Sequence, residues 1–95
     1  MKEKEAISKL KGEGFRDVYV WEDSAGAYYP PHSHEAVSGI VLSGEIKITA
    51  SGKSRVFGKG ERFDVKSGEV HSAKVGKCGC KYIVAENKEK NKEIK

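Results

Sequence analysis

Glutamine is absent from the 95-residue chain, and cysteine, proline, methionine and tryptophan are scarce, at two, two, one and one. The two cysteines, in Cys78-Gly79-Cys80, are too few for the disulfide framework of a small secreted domain. Their spacing is not the Cys-x-x-Cys of a redox enzyme either, so they read as a thiol pair on a strand. No apolar run approaches the roughly 18–20 residues of a membrane span, which excludes a helical membrane anchor. The opening MKEKEAISKLKGEG has no apolar h-region, which predicts a cytoplasmic protein without a secretory leader. Hydrophobic residues make up 37% of the chain, enough for one modest core and not for two.

Charge is plentiful but mixed in sign. The net charge is +4, yet residues 14–85 hold ten Lys and Arg against eight Asp and Glu. The rest of the excess lies in mixed-sign termini such as ENKEKNKEIK. No segment forms a basic face, so nucleic acid is not an expected partner. Fifteen lysines and eleven glutamates instead describe a densely charged, solvated surface.

The patterning changes once along the chain. Ala6, Ile7 and Leu10 form a narrow helical stripe over residues 3–11, and Gly12 and Gly14 end it. From Phe15 onward the period is two: Val18 and Val20 alternate with Tyr19 and Trp21, Ile46 and Ile48 with Lys47 and Thr49, and Phe63 and Val65 with Asp64 and Lys66. Glycines at 44, 52, 60, 68 and 76 punctuate these runs eight residues apart. Short alternating segments with turn signals at that interval indicate an all-β antiparallel sandwich or barrel. The expected strands are 16–22, 27–29, 37–43, 45–50, 53–57, 62–66, 70–75 and 79–86. The expected organisation is an N-terminal helix within 1–14, a barrel over 15–86 and a charged tail over 87–95.

The three histidines carry the chemistry. His32 and His34 follow Tyr-Tyr-Pro-Pro as His-Ser-His, and His71 lies in Gly-Glu-Val-His. In an extended segment, residues i and i+2 share a face, and Pro30 and Pro31 favour extension. Two imidazoles can thus meet one point, and a third from another strand completes a triangular face for a divalent cation. The plain alternative is a pair of solvated histidines in a turn.

The frame around the histidines resembles the cupin superfamily. Its first motif runs glycine, five residues, His-x-His, a short gap, glutamate, six residues, glycine; this chain has Gly26, His32-Ser33-His34 and Gly44. Its second runs glycine, five residues, Pro-x-Gly, two residues, histidine; this chain has Gly60, Lys66-Ser67-Gly68 and His71. Fifteen residues separate Gly44 from Gly60, about the shortest such segment in the family. The motif glutamate falls on Val37, and the gap from His34 to Gly44 is short by one or two residues. The proline of the second motif is Lys66, and its asparagine is Val75.

This resemblance implies a double-stranded β-helix, or jelly-roll barrel, with a short N-terminal helix. It implies a metal site of His32, His34 and His71 holding Fe, Mn, Ni or Zn, with Glu35 as a candidate additional ligand. Tyr28, Val37, Cys80 and Tyr82 are candidate pocket-lining residues, with Cys78, Cys80 and Tyr82 expected on one strand face. Trp21 reads as core or interface. The implied partner is a small-molecule ligand or substrate, with no nucleic acid and no membrane, and the implied assembly is a homodimer. The implied function is a metal-binding cupin, with dioxygenase or isomerase chemistry open to it; the alternative is a binding or sensor module without turnover. Lacking the glutamate, such a site is one negative charge short, which favours anionic substrates.

Overall fold

A computed structural model describes residues 2–88 of the chain. It contains one helix, α1 (Glu3–Gly12), and six strands: β1 (Phe15–Asp23), β2 (Tyr28–His32), β3 (Val37–Ala50), β4 (Lys53–Gly58), β5 (Arg62–Val65) and β6 (His71–Lys88). All strand pairs are antiparallel. No helix among the described residues is long and apolar enough to cross a membrane.

Eight short strands were expected, and six are found, because two pairs of segments are continuous. β3 unites 37–43 with 45–50, and β6 unites 70–75 with 79–86. Each of these long strands serves two leaves of the sandwich. Their halves Val37–Gly44 and Cys80–Glu86 pair with each other and are flanked by β5 and β1. Their other halves, Ile46–Ala50 and His71–Val75, pair with each other and are flanked by β4 and β2.

The change of leaf needs a local break in the ladder. Register shifts fall between Val41 and Ser43, opposite Tyr82 and Lys81, and between Gly44 and Ile46, opposite the Val75–Cys80 stretch of β6. Gly44 and Gly79 both have left-handed φ, at 77° and 76°. A Cβ on Gly44 would lie 2.0 Å from the Gly79 carbonyl oxygen, so the backbones meet where only glycine fits. The eightfold glycine spacing therefore marks a strand bend at Gly44 as well as turns.

Two cores result from the period-two alternation. Between the leaves lie Val41, Ile46, Phe57, Phe63, Val75, Cys80, Tyr82 and Val84. On the outer face of the first leaf lie Ile40, Ile83, Ala85 and Phe15, covered by Ala6 and Leu10 of α1. Ala6 and Leu10 have no exposed surface, so the narrow helical stripe is fully used. Acidic Glu3 and Glu5 in the first turn and basic Lys9 and Lys11 in the last complement the helix dipole. Arg62 on β5 ties the helix end down: its guanidinium donates to both Glu13 oxygens, at 2.6 and 2.7 Å. That contact holds the Glu13 carboxyl below its ordinary value.

β6 continues the ladder through Lys88, paired with Phe15, beyond the barrel limit expected at residue 86. The remainder of the expected tail, 89–95, lies outside the described residues.

Candidate metal centre

Three elements deliver the histidines. His32 is the last residue of β2 and pairs with His71, the first residue of β6. His34 lies in the connection to β3, where its carbonyl accepts a hydrogen bond of 2.9 Å from the Gly68 amide. That bond joins the loop of the first histidine motif to the turn before His71. The ring centroids stand 5.0 Å apart for His32 and His34, 4.4 Å for His32 and His71, and 4.6 Å for His34 and His71. One ring nitrogen from each lies within 4.8 Å of the other two. His71 is buried, whereas His32 and His34 are exposed.

The hydrogen bonds of the rings decide which nitrogens are free. His32 Nδ1 contacts the Pro30 carbonyl at 2.7 Å, His34 Nδ1 the Glu35 carbonyl at 2.6 Å, and His71 Nδ1 the Glu69 carbonyl at 3.0 Å. A carbonyl only accepts, so each Nδ1 carries the proton and donates it. In the neutral ring, Nε2 then holds a free lone pair. Backbone carbonyls orienting the far nitrogen are the usual support behind metal-bound histidine. The donor set therefore fits a divalent transition metal. Nitrogens around a tetrahedral ion stand about 3.3 Å apart, so nitrogens within 4.8 Å of one another would draw together to share one.

The candidate ligand Glu35 is not in this cluster. It presents its backbone carbonyl to His34, and its side chain is exposed. Glu35 stands at a bend in the connection between β2 and β3, outside the strand alternation that would have placed it on the inner face. Val37, where the motif glutamate would stand, lines the cavity as an apolar group.

The cavity next to the histidines has a volume of about 260 Å³. Val37 and Tyr82 line it, as expected from the sequence; Tyr28 and Cys80 do not. Tyr28 is exposed, and its neighbour Tyr29 faces the cavity instead. Two residues, Pro30 and Pro31, separate Tyr29 from His32 on β2, but only one, Ser72, separates their partners Ala73 and His71 on β6. Pro30 and Pro31 lack amide hydrogens for the ladder, and the extra residue there inverts the alternation. Cys80 is packed in the inner core, where burial and then the charge of Asp23 push its thiol up to about 11. It is therefore a poor nucleophile. Cys78 is exposed rather than on the same face, because Gly79 breaks the strand period between them.

Sequence reasoning missed three features of this cavity. Trp21 is 48% exposed and lines the cavity with Tyr19, so it is not core. Asp23 accepts from Trp21 Nε1 at 2.9 Å, Tyr29 OH at 2.6 Å and Tyr82 OH at 2.7 Å. Burial, and then that carboxylate, push both phenols above the ordinary tyrosine range. Glu86 is the one acidic side chain in the lining among the described residues, directly across the ladder from Val37. The alternation of Val18 and Val20 with Tyr19 and Trp21 could have exposed the first feature; the other two depend on Tyr82 and Glu86 of β6, which pairing brings beside distant residues.

Comparison with known proteins agrees with this geometry. No family model and no curated protein matches the sequence. Among solved structures, the cupin domain of Cnp3 from Schizosaccharomyces pombe is 28% identical, with a TM-score of 0.64, over 74% of this chain and 55% of that one. The DMSP lyase DddQ from Ruegeria pomeroyi is 27% identical, with a TM-score of 0.62, over 74% of this chain and 37% of that one. A cupin superfamily protein from Desulfitobacterium hafniense superposes with a TM-score of 0.67 at 15% identity, over 76% of this chain and 66% of that one. This chain thus spans little more than half of the first of these and about a third of the second. Its fold is that of a small cupin domain, a jelly roll with a three-histidine cluster beside its cavity.

Proposed function

We propose that the protein is a metal-binding small-molecule cupin in which His32, His34 and His71 hold one divalent ion through Nε2. The observation that carries this reading is the convergence of three imidazoles, each with Nδ1 committed to a backbone carbonyl. Three neutral ligands leave positions open toward the cavity. A bound ion would supply Lewis-acid activation or, as ferrous iron, oxygen chemistry, the basis for isomerase or dioxygenase turnover. The chain's own part is to orient the ligands and flank them with apolar walls, Val37, Ile48, Val65 and Ala73.

Elemental analysis of protein purified without added metal tests the reading. The expected result is close to one Fe, Mn, Ni or Zn per chain, lost in His71→Ala and in His32→Ala. Stoichiometric metal retained by both folded variants would refute the ligand assignment.

A second reading, binding without turnover, is favoured by the state of the proton-carrying groups. The Tyr29 and Tyr82 phenols are committed to Asp23, and Cys80 is outside the cavity. Beyond the histidines, Glu86 and the Tyr19 phenol are the proton-carrying side chains left in the lining among the described residues. Chelator-treated protein whose melting temperature rises with an organic ligand alone would support this second reading.

A further inference from the structure

The cavity carries the opposite electrostatic sign to the chain. Lys and Arg number 18 in all, yet among the described residues none lines the cavity. Its charged side chain is Glu86, and a second carboxylate, Asp23, stands behind its aromatic wall. Apart from any ion held by the histidines, an anion entering here would meet two carboxylates and no Lys or Arg side chain. The anionic group expected from the missing motif glutamate would belong at the histidines, not at this wall.

The wall is built to present ring faces. On β6, Tyr82, Val84 and Glu86 share the inward face, opposite Trp21, Tyr19 and Asp17 of β1. Glu86 thus lies diagonally next to Tyr19, within reach across the pair. The Tyr19 and Trp21 rings stand 6.5 Å apart at 81°, two sides of a corner. Asp23 takes the only polar hydrogens of Trp21, Tyr29 and Tyr82, so these rings are held in place and have no donor left for a ligand. Donation to a carboxylate also enriches the rings in electron density, which strengthens their attraction for a cation.

Resting on the reading of this cavity as a ligand site, we infer that the corner formed by Tyr19, Trp21 and Glu86, with Tyr29 and Tyr82 behind it, binds the methylated ammonium headgroup of a small organic ligand. The headgroup packs on ring faces, and Glu86 offsets its charge. The remainder of the ligand then points toward the histidines.

Trp21 is the only tryptophan, so its emission reports on this corner directly. The experiment titrates metal-free protein with tetramethylammonium chloride, with tert-butanol as an uncharged probe of similar shape, and with sodium chloride for ionic strength. The expected result is a saturable change in emission with tetramethylammonium alone, weakened about tenfold in Glu86→Gln and in Tyr19→Leu, both shown folded by thermal melting. Equal responses to tert-butanol, or unchanged affinity in both variants, would overturn the assignment. So would a Glu86→Gln protein that loses metal but keeps its tetramethylammonium affinity, or emission that depends on protein concentration alone, which would mean that a second copy covers the wall. Because metal content is measured separately, protein that holds metal but ignores tetramethylammonium defeats this inference only. Protein that binds tetramethylammonium but never holds metal defeats the metal assignment only.

Discussion

The first leaf of the sandwich has two faces built from alternate residues of the same strands, and they do different work. Its outer face, Ile40, Ile83 and Ala85, is sealed by Ala6 and Leu10, with the Arg62–Glu13 ion pair at its margin. Its inner face, Val37, Tyr82, Val84 and Glu86 with Tyr19 and Trp21, opens on the cavity beside the histidines. Moving one residue along β1 or β6 passes from dry packing to the candidate chemistry. The comparison teaches that stability and ligand recognition can be separated here by strand period alone. The helix carries much of the first, which leaves the inner face free to hold polar and exposed aromatic groups.

Breaking the outer face should give the largest effect on folding. Leu10→Ala removes a fully buried side chain from the helix seam and should cost about 3 kcal/mol by denaturant unfolding. Metal content and Trp21 emission of the folded fraction should not change; a change in either would show that the faces are coupled. Gly39→Ala attacks the inner face, since an added Cβ would sit 2.2 Å from the Phe63 ring. It should cost about 2 kcal/mol and push Phe63 toward the cavity, which a weaker ligand response would reveal. Tyr82→Phe removes one donor from Asp23 and should cost about 1.5 kcal/mol, accompanied by a shift in Trp21 emission.

The smallest effect concerns the ion pair under the helix. Contact with Arg62 lowers the folded-state pKa of Glu13, so its stabilisation is present above the ordinary value of 4.5 and is lost as pH falls below it. Glu13→Gln should cost about 1 kcal/mol or less at neutral pH, because the pair is partly solvated. It should also flatten the decline in melting temperature on acidification. An unchanged acid profile would remove Glu13 from the account.

Much of this molecule is legible in the residues themselves. The Ala6–Leu10 stripe, the period-two strands and the glycine spacing announce a helix and a β-sandwich, and the two histidine motifs announce the cluster. The strand count was not legible, because β3 and β6 bend through Gly44 and Gly79 without ending. Face assignments held only where alternation was unbroken, as at Val37 and Tyr82. They failed at Tyr28, beyond the Pro30-Pro31 irregularity, and at Cys78, beyond Gly79.

Sequence alone determined the local elements and the kinds of ligand atom available, because both depend on residue type and short spacings. Tertiary structure alone decided that Glu86 stands beside Val37, that one Asp23 carboxylate gathers three aromatic rings, and that Tyr29 rather than Tyr28 turns inward. The physical reason is register: one extra residue in a ladder inverts every side chain beyond it, and neighbours across a ladder are set by pairing rather than by distance along the chain.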